Sequence, residues 1–117
     1  MATGTMIELK GDAGFALGAY RVSPSDCGAK ANGNGLVLVQ EIFGVTDHIK
    51  ELCDGYASKG YEVIAPSMYD RGEKGWQSDY SGPGFNRSIE LAKGFGLPNA
   101  QGDMQAAINA LQADGVK

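Results

Sequence analysis

The first apolar segments along the chain are short and only partly alternating, Thr5 to Lys10 and Phe15 to Val22, with Gly11-Asp12-Ala13-Gly14 between them. Partial alternation broken by a glycine-rich step predicts a hairpin of two antiparallel edge strands. Leu36-Val37-Leu38-Val39 is different: it is continuously apolar, opened by Asn32-Gly33-Asn34-Gly35 and closed by Gln40-Glu41. That pattern belongs to a strand covered on both faces, as in a parallel sheet. Ile49, Leu52, Cys53, Tyr56 and Ala57 then recur at helical spacing, with Thr46 or Asp47 as N-cap and Gly60 as C-cap, so these positions are expected to form one buried helix face. Tyr61 to Ala65 reads as a second apolar strand stopped by Pro66. Strand, helix and strand within about 30 residues is the size of a βαβ unit. A loop rich in glycine and aromatic residues runs from Ser67 to Phe85, and Met104, Ala107, Ile108 and Leu111 mark a final helix from near Asp103 to Gly115.

These elements predict an α/β fold in one domain over residues 1–117, a hairpin followed by a parallel βαβ sheet with flanking helices. A chain of 117 residues, 43% hydrophobic and 21% charged, has material for one core and not for two. Its 18 glycines fall largely where turns are needed. The net charge is −4 and the lysines and arginines form no run, which argues against nucleic acid and membrane partners. No apolar stretch is long enough to span a bilayer, and Met1-Ala2-Thr3-Gly4-Thr5 has neither a basic region nor an apolar core, so a cytoplasmic location is expected. Cys27 and Cys53 form no C-x-x-C pattern and His48 is the single histidine. Neither a metal site nor a disulfide framework is therefore expected, and a lone Cys27–Cys53 bridge is disfavoured without a secretion signal.

In open α/β sheets ligands collect outside the carboxyl ends of the strands, which selects Gln40-Glu41-Ile42-Phe43-Gly44 and Pro66-Ser67-Met68-Tyr69 as candidate site loops. Glu41 stands where the first parallel strand meets its helix. On residue type alone it is a solvated loop acid; only its surroundings make it a candidate for chemistry.

Those surroundings are specific. Leu36-Val37-Leu38-Val39-Gln40-Glu41-Ile42-Phe43-Gly44-Val45, His48-Ile49, and Gly60-Tyr61-Glu62-Val63-Ile64-Ala65-Pro66 with Tyr69 resemble the dienelactone hydrolase (carboxymethylenebutenolidase) family, over about Leu36 to Lys117. The resemblance implies a partial α/β-hydrolase fold. It also implies an enzyme that hydrolyses cyclic or carboxylic esters through a cysteine, histidine and aspartate triad, with no metal or organic cofactor and a small ester or lactone as substrate. By the same resemblance Glu41 matches the carboxylate that contacts the resting cysteine and controls its ionisation. The thiolate is the nucleophile, and neighbouring charge governs its supply. The backbone N–H of Ile42 matches one donor of the oxyanion hole. Arg87 stands where the family places an arginine for the substrate carboxylate, a task suited to its rigid fork, although an exposed surface arginine is the alternative reading.

The chain also departs from the family. Ser67 occupies a position where an aspartate often follows alanine-proline, and Gly94, Gly96 and Pro98 interrupt the stretch between Arg87 and Asp103. No G-x-S-x-G or G-x-C-x-G elbow occurs, so the nucleophile and the triad's aspartate and histidine are expected outside this chain. Cys53 falls on the apolar side of the predicted helix as a structural thiol, Cys27 lies in a polar loop, and His48 reads as a surface or capping residue. Trp76, Tyr80 and Phe85 are loop anchors or pocket walls. The chain thus reads as the N-terminal half of a hydrolase, truncated before its elbow and inactive alone. Self-association, or pairing with the C-terminal half, is expected along an open strand edge. The alternatives are a half-size, non-catalytic α/β domain for binding or assembly, and a flavodoxin-like binding domain, against which stands the lack of a phosphate loop.

Overall fold

A computed structural model of the chain describes residues 3–11, 15–40, 44–70, 76–77, 82–93 and 97–115. In chain order the elements are β1 (Thr5–Lys10), β2 (Ala16–Val22), a 3-10 turn (Pro24–Cys27), β3 (Gly35–Val37), α1 (Asp47–Ala57), β4 (Glu62–Pro66), α2 (Gly82–Lys93) and α3 (Leu97–Ala113). The strands make one mixed sheet in the order β1-β2-β4-β3.

The expected hairpin is present, with β1 and β2 antiparallel from Thr5↔Arg21 to Lys10↔Ala16. β2, however, is not an edge strand. Its other side pairs antiparallel with β4, from Ala19↔Pro66 to Val22↔Val63. The reason lies in its two faces: Leu17 and Ala19 are buried on one side and Tyr20 and Val22 on the other. A strand apolar on both faces gains most from an interior position. β3 runs parallel to β4, from Gly35↔Glu62 to Val37↔Ile64, with α1 as the crossover, so the βαβ unit is as expected. The expectation that Leu36 to Val39 is covered on both faces holds only in part. Leu36 and Leu38 pack partly buried on the α1 side and Val37 on the α3 side, but Val39 is 54% exposed. Among the described residues no second strand lies on the outer side of β3.

The sheet separates two cores. Tyr20, Val22, Val63 and Ala65 meet Val45, Ile49, Cys53 and Ala57 on the α1 side, while Leu9, Leu17, Ala19 and Ile64 meet Ala107 and Leu111 of α3 on the other. Each fully buried Leu, Ile or Val contributes roughly 2 kcal/mol by removing its side chain from water.

α1 begins where the Thr46 hydroxyl oxygen accepts the Ile49 N–H at 3.3 Å. It closes at Gly60, whose φ of 104° permits Gly60 N–H to reach Ala57 O and Tyr61 N–H to reach Tyr56 O. Its buried face is narrower than the periodicity suggests. Ile49, Cys53 and Ala57 are buried, whereas Leu52 and Tyr56 are 40% and 39% exposed. The first four residues of α2 fall at the end of the stretch expected to be loop, Ser67 to Phe85, because Gly82-Pro83-Gly84 resembles a turn but also suits a helix start, where proline lacks no needed donor. α3 likewise starts at Leu97, well before Asp103, with Pro98 in its first turn. Asp103 is buried inside that helix and is not its cap.

Two polar clusters fasten the layers. Arg21 on β2 pairs with Glu62 on β4 at 2.9 Å and with Asp114 beyond α3 at 2.8 Å, and the Ser23 hydroxyl donates to the same Glu62 oxygen. Near the N-terminus the Gly4 N–H donates to the Tyr20 hydroxyl oxygen, which in turn donates to Asp54 Oδ1 at 2.6 Å. Burial, and then the hydrogen bond to Asp54, push the Tyr20 phenol up to about 12. Among the described residues no helix is long and apolar enough to cross a membrane.

Candidate functional site

The two candidate loops meet beyond the carboxyl ends of β3 and β4. Gln40, just past β3, accepts the Met68 N–H at 2.8 Å through its side-chain oxygen and hydrogen-bonds the Tyr69 hydroxyl. One amide thus joins both strand ends. Tyr69 is buried, and burial raises its pKa above 10.0 while the Gln40 bond partly offsets the rise.

The turn after β4 is set by Ser67 and Asp70. The Ser67 N–H donates to Gly18 O at 2.8 Å, and its hydroxyl donates to Asp70 Oδ1 at 2.8 Å. The other Asp70 oxygen accepts the Gly18 N–H. Both side chains are buried, so the turn is anchored to β2 by a fully used carboxylate. Ser67, a departure in sequence, serves here as a donor that an aspartate in its ionised form cannot be.

Past β3, Gly44 has a φ of 91°, and its backbone bridges that of Gln77. A Cβ at Gly44 would collide with the Trp76 carbonyl oxygen, so glycine is required both for its φ and for the close crossing. The Trp76 indole N–H donates to Ser88 Oγ at 3.0 Å, and the Ser88 hydroxyl donates to Gly84 O at 2.8 Å. This relay of Gly44, Trp76 and Ser88 ties the exit of β3 to α2, the helix that carries Arg87. The Arg87 side chain is 39% exposed, and its guanidinium lies 3.4 Å from Glu90. That separation is a surface pair of small energetic weight.

Of the predicted site residues, Glu41 and Ile42 lie outside the described residues, as do Tyr80 and the side chain of Phe85. Arg87 is on a helix linked to the site loops, one position before the Ser88 that makes the link. Asp70 and Ser88 were not singled out from sequence, and Gln40 was named only as a member of a candidate loop. The signal for Gln40 was its place beside Glu41; buried Asp70 and Ser88 left none.

Of the two cysteines, Cys53 is a structural thiol. Both are free. Cys53 is fully buried, and burial, then the nearby Asp54 charge, push its thiol up to about 12, so it supplies no thiolate at neutral pH. Cys27 Sγ is 3.6 Å from Asp54 O, away from the site loops. His48 is exposed in the first turn of α1. Among the described residues no group of three or more His, Cys, Asp or Glu is placed to hold a metal ion.

The sequence model of the dienelactone hydrolase family matches residues 17–117. A protein of Azospirillum brasilense provisionally named carboxymethylenebutenolidase is 36% identical over 86 residues, covering 73% of this chain and 36% of its own length. A Synechocystis protein of the same provisional name is 32% identical over 73 residues, covering 62% of this chain and 30% of its own. Among solved structures, a provisionally named dienelactone hydrolase of Klebsiella pneumoniae aligns with a TM-score of 0.70 at 26% identity, over 97% of this chain and 46% of that one. A dienelactone hydrolase-like promiscuous phosphotriesterase from metagenomic libraries shares the fold, with a TM-score of 0.65 at 23% identity. The chain spans less than half the length of these relatives.

Proposed function

The chain belongs to the dienelactone hydrolase family, and from that membership we propose that it forms the N-terminal half of a hydrolase acting on small cyclic or carboxylic esters. The observation that carries this reading is that the family match, over residues 17–117, includes both site loops, which Gln40 joins at the ends of β3 and β4. The triad comes from sequence beyond this chain, since no nucleophile elbow occurs within it and Cys53 is buried with a raised pKa. The thiolate of that triad attacks the ester carbonyl, the alcohol leaves with the histidine's proton, and water then frees the acid from the acyl-enzyme. Glu41 controls ionisation of that thiol, and the Ile42 N–H donates to the oxyanion that develops. Arg87 leaves its surface pairing with Glu90 to take a substrate carboxylate.

Hydrolysis of a dienelactone or a small activated ester, measured for the 117-residue chain alone and joined to the second half of a full-length relative, tests this. Turnover is expected only in the joined form, and Glu41→Ala there is expected to lower kcat/KM about 100-fold or more. Turnover by the short chain alone would overturn the assignment of the nucleophile; none in either form would favour a non-catalytic α/β domain for binding or assembly. Among the described residues no strand pairs with the outer side of β3, which favours pairing there with the half that carries the triad, or with another copy when that half is missing.

A further inference from the structure

The outward side of α1 carries features that the hydrolase reading leaves unused. Leu52 and Tyr56, expected to be core, are 40% and 39% exposed. With Glu51, Gly55 and Lys59 they line a shallow hollow along the helix and its closing turn. The Tyr56 ring is held there, edge-on to Tyr61 with centroids 6.4 Å apart and with Lys59 Nζ 6.0 Å from its own centroid.

Gly55 is the second unexplained feature. Glycine is the least favourable residue of a helix interior after proline, yet a Cβ at Gly55 would meet no atom within 4 Å. Among the described residues nothing requires it. What a missing side chain does permit is close approach of another backbone from outside.

The charges say which backbone. Glu51 stands one helical turn before Gly55, roughly 6 Å along the axis at 1.5 Å per residue, and Lys59 stands as many residues after it, in the turn that closes α1. A two-fold axis through Gly55 therefore sets Glu51 against the partner's Lys59 and Lys59 against the partner's Glu51, with Leu52 and Tyr56 of both copies filling the space around the crossing. An isologous contact needs such self-complementarity.

We propose that the outer face of α1 is a homodimer surface, on which a second copy of this chain packs antiparallel and crosses at Gly55. The surface is independent of the proposed reaction and lies on a helix face, away from the open side of β3. One helix face is small beside the ~800 Å² per partner of a standard interface, so the dimer is a reversible, concentration-dependent one.

Sedimentation velocity over a concentration series at low salt tests it, with far-UV circular dichroism confirming the fold of each variant. Glu51→Lys and Lys59→Glu, each alone, are expected to raise the dimer dissociation constant about tenfold, because each turns two attractions into two repulsions. The double exchange is expected to restore it to within about threefold. Gly55→Ala separates the interface from the helix: as a better helix former it is expected to raise the monomer's unfolding midpoint while weakening the dimer about tenfold. A chain that stays monomeric throughout would overturn the proposal. So would a dimer indifferent to both reversals, a result that would assign association to β3 and leave the hydrolase reading untouched.

Discussion

β4 and β3 lie side by side in one sheet, joined by the same helix, and differ in what surrounds them. Val63, Ile64 and Ala65 in β4 are fully buried, with β2 on one edge, β3 on the other and a helix on each face. Leu36, Val37 and Leu38 pack on the same two cores but remain only partly covered, and the next residue is more than half exposed. An apolar run states how many faces of a strand must be covered. It does not state whether the strand's own chain supplies both neighbours.

The contrast can be tested by removing side chains on either side of it. Ile64→Ala is expected to have the largest effect, about 3 kcal/mol lost in urea denaturation, since the cavity opens in a closed core. Asp70→Ala should cost about 2 kcal/mol, because it leaves the Ser67 hydroxyl and the Gly18 N–H without their buried acceptor. Alkaline titration comes next. Cys53 stays protonated in the fold up to about 12 while the unfolded thiol ionises near 9.0, so above about pH 9 the unfolded chain binds fewer protons. Stability then falls by about 1.4 kcal/mol per pH unit until the folded thiol itself ionises. In Cys53→Ala the onset should move toward pH 10, where the unfolded phenol of Tyr20 begins to titrate. Val37→Ala is expected to cost least, about 1 kcal/mol. If it costs as much as Ile64→Ala, and more at higher protein concentration, the outer side of β3 is covered in solution and the contrast between the strands disappears.

Much of this architecture was legible in the chain. The run at Leu36, the Thr46 cap and the positive-φ Gly60 each act over a few residues, so the βαβ unit could be read locally. The interior place of β2 could not, because it depends on β4, more than 40 positions away in their pairing. α2 and the start of α3 were hidden by Gly82, Pro83 and Pro98, residues that break a helix interior but are tolerated in a first turn. Leu52 and Tyr56 were placed in the core because helical periodicity cannot tell one packed stripe from two adjacent ones. For the site, the Glu41 block marked the loops by resemblance, while the Gln40 amide and the Asp70 carboxylate became visible only once the two strand ends lay together.

The crossing at Gly44 has a consequence for anyone who compares variants of this chain. A glycine beside a catalytic candidate invites the reading that chemistry keeps it there, yet here a single missing carbon lets one stretch of main chain pass over another. In a saturation library, position 44 should return glycine alone even when survival is scored by folding and no substrate is ever supplied.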